Sequence, residues 1–437
     1  MKKEMNGKNL IITLILICAF ASVGILVGRW TLRSVGAEVE GYEELKVYTE
    51  ALTLVKKNYV EEVKQKDLVY NSIKGMLNSL DPHSGFMTPD MYKEMQVDTK
   101  GEFGGLGIQI GIKDGMLTVI APLEDTPAYR AGIKAGDKIL KINDELTKDM
   151  SLHDAVSKMR GVPSTSVKIT IIREGWKETR DFTIVREIIK IKSVKSKLLD
   201  DGIGYIKVTQ FQEQTASDLS GVLESLAQQN MNSLILDLRN NPGGLLNSAV
   251  DVTSFFLPAG KLVVYIEDRE KKKVEYSSSG DGEFEEEYPM IVLVNEGSAS
   301  ASEIVAGALK DWHRAVIIGT PTFGKGSVQS VVPLSDGSAL RLTTAIYYTP
   351  KGTSIQATGI VPDITVKQVL KEGEEGRPII REKDLERHLE QGEFLPEDIE
   401  TEEIIPMKID EENDTQLQRA IDLLKTWKVF KEIPKAA

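Results

Sequence analysis

A chain of 437 residues, 41% hydrophobic and 27% charged, carries enough apolar material for two or three packed domains and lacks the composition of a disordered protein. Its formal net charge of −12, with basic runs as short and as interrupted as Lys271–Lys273, offers no field for a phosphate backbone and excludes nucleic acid as a partner class. The single cysteine, Cys18, excludes intrachain disulfides and Cys-rich zinc sites. His83, His153, His313 and His388 are scattered and contain no His-Glu-x-x-His, so the expected chemistry uses no metal and no cofactor.

The uncharged, mostly apolar stretch 10–28 follows Lys2, Lys3 and Lys8 and precedes Arg29 and Arg33. It is just long enough to span a bilayer and longer than the usual signal-peptide core, although Ser34-Val35-Gly36 offers a weak cleavage site. The expectation is an uncleaved single-pass anchor at 10–28. Residues 1–9 then lie in the cytoplasm, and everything after Arg33 lies outside the cell membrane of a bacterium. Cys18 follows Ile17 rather than a small residue and reads as membrane filler, not a lipid attachment site.

Over 42–98, Leu52, Val55, Tyr59, Leu68, Ile73, Met76, Leu77 and Leu80 recur at three and four residues and predict amphipathic helices that end at Asp81-Pro82. Their apolar faces need a partner, either the rest of the chain or a second copy. Region 100–175 changes to short alternating strands punctuated by glycine, with one helix from Ser151 to Met159, and reads as a separate small domain. Across 176–370, apolar strands at 203–208, 234–238, 291–294 and 315–318 alternate with helical stretches at 216–228, 245–257 and 302–309. That alternation argues for an α/β layer. The extension 371–437 is acidic, broken by Gly and Pro, and closes in a helical run near 416–427.

Gly104-Gly105-Leu106-Gly107-Ile108 is a glycine-rich loop that runs straight into a strand. Such a loop is either a plain turn or a nest of N–H groups that captures a carboxylate beside a strand edge able to accept an extended peptide. The run Ala131-Gly132-Ile133-Lys134-Ala135-Gly136-Asp137-Lys138-Ile139-Leu140-Lys141-Ile142-Asn143, with the helix starting at Ser151, resembles the PDZ family from Gly101 to Gly175. The resemblance implies a groove for free C-termini, with Gly105, Leu106, Gly107 and Ile108 as its substrate-binding residues.

Ile291-Val292-Leu293-Val294 leads through Asn295-Glu296-Gly297-Ser298-Ala299 to Ser300, after which a helix begins. Ser300 with Glu303 spells a capping box, and a serine there is also placed as a nucleophile whose oxyanion meets the next N–H, that of Ala301. A serine hydroxyl needs a base. No Gly-x-Ser-x-Gly elbow surrounds any serine, and His313 lies beyond the helix that carries the chain away. Lys325, between Gly324 and Gly326, is the better candidate, read against a solvated turn lysine; a desolvated lysine amine acts as a neutral base. Gln329, four residues on, shares the face of Lys325 if the segment is a strand, and its amide can orient the amine. Asp237-Leu238-Arg239-Asn240-Asn241-Pro242-Gly243-Gly244 lacks the Gly-Lys-Ser/Thr of a nucleotide loop; an N–H of Gly243 or Gly244 would instead complete the oxyanion hole with Ala301.

The stretches Asp237–Gly244, Ser298–Glu303 and Phe323–Gln329, in this order behind a PDZ-like module, resemble the C-terminal processing peptidases, also called tail-specific proteases. Leu80-Asp81-Pro82-His83-Ser84 and Thr358-Gly359-Ile360-Val361-Pro362-Asp363 resemble the flanking segments of that family. The resemblance implies an α/β, crotonase-like (ClpP-like) serine protease core with an inserted PDZ domain and N-terminal helices. It also implies Ser300, Lys325 and Gln329 as catalytic residues, protein or peptide substrates with free C-termini, a PDZ domain that moves to regulate access, and often a homodimer. Two rival readings are a PDZ scaffold without activity, which the intact trio opposes, and an acyl-CoA enzyme of the crotonase class, which the anchor and the PDZ-like module oppose.

Overall fold

The computed structural model describes residues 42–148, 150–280, 288–368, 380–389 and 414–432. The expected anchor at 10–28, Cys18, the Ser34–Gly36 site and much of the acidic extension lie outside the described residues. Among the described residues no helix is long and apolar enough to cross a membrane. The chain divides after Met76 into two units, and in the first the helix Tyr42–Asn58 is described whole together with most of the helix Gln65–Asn78; Leu45, Val47 and Leu54 there are exposed.

In the second unit, the central sheet runs Val194–Leu199, Ile203–Val208, Ser233–Asp237, Met290–Val294, Val316–Gly319, Ile364–Thr365. Val194–Leu199 is antiparallel to its neighbour, and the other five strands are parallel. Alternating residues of one strand face opposite layers. Leu234, Leu236, Val292 and Val294 pack with Leu219, Leu223, Val252, Ile304 and Val305 of the helices Thr215–Gln228, Leu246–Ser254 and Ala301–Asp311. Ile235, Ile291 and Leu293 pack on the other face with Leu417, Ala420 and Leu424 of the helix Thr415–Glu432. A parallel sheet covered on both faces accounts for the near-continuous apolar runs in its strands.

A second, antiparallel sheet is assembled from distant stretches. Gly85–Met87, Ala339–Tyr348, Leu262–Asp268 and Lys273–Ser277 pair in that order, and Ser327–Pro333 also pairs with Ala339–Tyr348. Residues just after the N-terminal helices thus belong to a sheet of the core. The small domain is held between them, with its own sheet and its own apolar core around Val119, Ile139, Ile142, Ala155, Ile169 and Ile171. Its incoming strand Glu102–Gly105 pairs with its outgoing strand Glu187–Lys190, which closes the neck of the insertion. At the base of the neck, the buried Gln212 donates from Nε2 to Asp98 O (3.1 Å), and Phe211 bridges Gly244.

Candidate active site

Three loops leave the C-terminal ends of neighbouring parallel strands, where open α/β sheets place their ligands. They carry Leu238–Gly244 after Ser233–Asp237, Asn295–Ser300 after Met290–Val294, and Thr320–Gly326 after Val316–Gly319. The loops are stitched together: Ala299 N–H donates to Asn241 O (3.1 Å), Ser302 Oγ to Asn241 O (2.8 Å), Ser298 Oγ to Leu238 O (2.8 Å), and Phe323 N–H to Ser298 O (3.0 Å).

Ser300 heads the helix Ala301–Asp311 at φ 55°, ψ −112°. A non-glycine residue held there stores strain that the surrounding bonds must maintain, a common feature of reactive turns. Burial pushes the phenol of Tyr347 up to about 12, and the Ser300 hydroxyl opposes that shift. Tyr347 is fixed in turn by its N–H to Gly326 O (2.7 Å). Sequence reasoning did not identify Tyr347.

Glu303 does far more than cap. Fully buried, its Oε2 accepts the Ser300 N–H (2.7 Å) and the Lys325 N–H (2.9 Å), while Oε1 accepts the Gly324 N–H (2.7 Å) and the Thr322 hydroxyl (2.5 Å). One carboxylate thereby ties the turn bearing the serine to the loop bearing the lysine. Burial pushes it up to about 7, against the pull of these four donors.

Burial pushes the Lys325 amine below its ordinary value; Arg341 adds to this, and Glu382, Glu303 and Asp81 oppose it. Among the described residues no hydrogen bond joins Ser300 Oγ to Lys325 Nζ; the two loops meet through Glu303 instead. Among the described residues no hydrogen bond joins the amine to Gln329. Its Nε2 donates to Ser327 Oγ (2.9 Å) and Ser327 O (3.2 Å), because the strand begins at Ser327 and Lys325 lies in the loop before it.

Gly243 backs directly onto the Ser300 turn: a Cβ there would lie 3.0 Å from Ala301 N and 2.8 Å from Ala299 O, an approach only glycine permits. Its own N–H is engaged by Asn241 Oδ1 (2.9 Å). The bridge to Phe211 uses Gly243 O and Leu245 N–H and leaves the Gly244 N–H outside the pairing. Ala301, first residue of its helix, carries one of the N–H groups a helix leaves unpaired.

His313 sits beyond the far end of the 11-residue helix that Ser300 heads. At about 1.5 Å per residue that is roughly 16 Å away. It lines a separate cavity of about 840 Å³ with Phe255, Leu424 and Trp427.

The acidic and basic residues of the 237–244 motif face away from this chemistry. Arg239, 1% exposed, takes Asp237 Oδ2 (2.6 Å) and both oxygens of Asp414 (2.7 Å each), and Asp414 also accepts the Leu417 N–H at the start of the C-terminal helix. Burial alone would raise the Asp237 carboxyl; Arg239 outweighs it and holds the carboxyl below the usual range.

In the small domain, Ile108–Lys113 is the edge strand of its sheet, and the helix Leu152–Met159 is capped by the Ser151 hydroxyl (3.1 Å to Asp154 N). Gly104 and Gly105 are paired to Ile188 and Glu187, and Leu106 is buried in the domain core. The turn still free to present N–H groups is thereby narrowed to Leu106–Ile108.

Residues 202–366 match peptidase family S41, residues 118–173 match the PDZ domain, and residues 31–91 match the activating protease CtpB N-terminal domain. A carboxy-terminal-processing protease of Bartonella bacilliformis is 43% identical over 89% of this chain and 90% of its own. The chain belongs to the carboxy-terminal processing proteases. CtpB of Bacillus subtilis, another such protease, is 36% identical over 73% of this chain and 67% of its own. Among solved structures, a photosystem II D1 C-terminal processing protease is 31% identical over 73% of this chain and 92% of its own, with a TM-score of 0.43. This processing protease is thus a serine-type peptidase with a PDZ domain, acting on protein substrates.

Proposed function

We propose that the chain is an extracytoplasmic endopeptidase, tethered through 10–28, that grips substrate C-termini in its PDZ groove and cleaves with Ser300 as nucleophile and Lys325 as base. The observation that carries this reading is Glu303, which bonds the N–H of Ser300 and of Lys325 with the same oxygen. For the reaction, the Ser300 hydroxyl delivers its proton to the neutral Lys325 amine while Oγ attacks the substrate carbonyl. The N–H groups of Ala301 and Gly244 receive the oxyanion, and the amine returns the proton to the leaving nitrogen. Water then hydrolyses the acyl-enzyme by the same proton path. Gln329 acts at one remove, by holding Ser327 at the strand start.

The test is cleavage of an unstructured protein by the full chain. Ser300→Ala and Lys325→Ala should each abolish it, the pair together costing little more because members of one catalytic unit are non-additive. His313→Ala should keep most activity. Near-normal turnover in Lys325→Ala beside a dead His313→Ala would replace the dyad with a histidine mechanism. For the location, protease added to intact spheroplasts should digest the catalytic region; full protection would reject the proposed side of the membrane.

A further inference from the structure

We propose that Glu382 is a positioning residue for Lys325, supplied by a short turn beyond the residues that match the peptidase family. The turn Glu382–Asp384 docks on the lysine loop from outside. Glu382 is 0% exposed, and its N–H donates to Phe323 O (3.1 Å). Its Oε1 accepts Gln356 Nε2 (2.9 Å), and Gln356 Oε1 accepts the Gly326 N–H (3.0 Å). Glu382 therefore holds the loop on both sides of Lys325, directly at Phe323 and through one amide at Gly326. The fit is close, since a Cβ on Gly326 would lie 2.4 Å from Gln356 N.

The third partner is His83, whose Nε2 lies 2.7 Å from Oε2 and 2.9 Å from Oε1. His83 belongs to the Asp81–Ser84 motif, and that motif is itself pinned to the strand Ala339–Tyr348: Arg341 Nε donates to His83 O (2.8 Å) and Thr343 Oγ1 to Asp81 Oδ1 (3.0 Å). A fully buried carboxylate is costly to maintain without donors. Here its donors come from two distant segments, and the lysine loop lies between them.

The charge has a second consequence. Four charged groups act on the Lys325 amine: Arg341 on the strand, Glu303 on the helix, Asp81 in the motif and Glu382 in the turn. Glu382 is one of three that favour the ammonium, so removing its charge makes the amine lose its proton at lower pH. A purely structural support has no such signature.

This inference rests on Lys325 as base, and the two fail differently. The measurement is the pH dependence of kcat and KM for the full chain on a fluorogenic peptide, with melting midpoints alongside. Glu382→Gln should lower the plateau of kcat about tenfold or more and move the rising limb to lower pH by about half a unit to one unit, with KM little changed. Lys383→Ala, exposed on the same turn, should match wild type in all respects. An unchanged plateau, or a lowered plateau with an unmoved limb, overturns the proposal. If Glu382→Gln does not fold, Glu382→Asp, which keeps the charge but retracts it, should still lower kcat without raising KM, and wild-type kcat there overturns the proposal equally. An active Lys325→Ala instead removes the base on which the inference stands.

Discussion

The most exacting test of the site is Glu303→Gln. Glutamine preserves the shape of Glu303 but offers one acceptor oxygen to four donors. Its less costly orientation turns that oxygen to the Ser300 and Lys325 N–H groups and its NH2 to Thr322. The Thr322 hydroxyl, which already accepts the Ile360 N–H (2.6 Å), can accept once more. One conflict remains, the NH2 against the Gly324 N–H. A buried donor without an acceptor costs about 1–3 kcal/mol, and that is the deficit expected at pH 5, where the wild-type carboxyl is also protonated. Burial has raised this carboxyl from 4.5 to about 7, so the folded chain retains a proton that the unfolded chain releases. Its contribution to stability is therefore fully present below the unfolded value and lost as pH rises through 7. Glutamine has nothing to lose over that window. The deficit of the variant should shrink by up to about 3 kcal/mol between pH 5 and pH 8, at ~1.36 kcal/mol per unit, and can change sign. Chemical unfolding of both proteins at pH 5, 6, 7 and 8 measures it. A deficit that stays flat or grows with pH would show that Glu303 is ionised throughout, its four donors outweighing its burial.

Two further outcomes follow from the same contacts. Asp414→Ala removes one of the two carboxylates on buried Arg239 and should destabilise the fold by about 3 kcal/mol or more in unfolding experiments, whereas Asp422→Ala, exposed on the helix that follows, should change it by less than about 0.5 kcal/mol; equal effects would refute the role given to the Arg239 network. A peptide ending in a free apolar carboxylate should bind the PDZ groove about ten- to a hundredfold more tightly than its amidated form, the worth of a charge-assisted hydrogen bond, and calorimetry showing equal affinity would rule out carboxylate capture at Leu106–Ile108.

What the sequence makes legible is whatever rests on local signals. The parallel strands were readable because both faces are covered, giving apolar runs such as Met290–Val294 whose ends fall within a residue or so of those expected. Ser300 was readable because a buried strand, a small-residue turn and a helix follow one another along the chain. The antiparallel sheet gave no such signal. Its pairing of Phe86 with Leu340 joins stretches far apart in sequence, and a three-residue strand carries too little alternation to register. The C-terminal helix was expected near 416–427, but its burial against Ile235 and Leu293 depends on a packing partner that no periodicity within the helix reveals.

The site residues divide along the same line. Gln329 was placed beside Lys325 by the two-residue period of a strand, yet that period holds only within the strand, which starts at Ser327; counting from the loop carried the rule one step outside its domain. Glu303 was visible, but as a cap, because the capping box and the clamp use the same residue and differ only in what stands opposite: Gly324 and Lys325 arrive from another strand end. Glu382 and Asp414 are single carboxylates among 66 acidic residues, in a region whose composition reads as solvated. What distinguishes them is the buried donor each one meets, His83 for one and Arg239 for the other. The usable signal lay on the donor side. A histidine in Asp81-Pro82-His83-Ser84 and an arginine directly after a buried strand both require acceptors once folded, and a search for those acceptors in the acidic tail would have led to the turn at Glu382 and the helix start at Asp414.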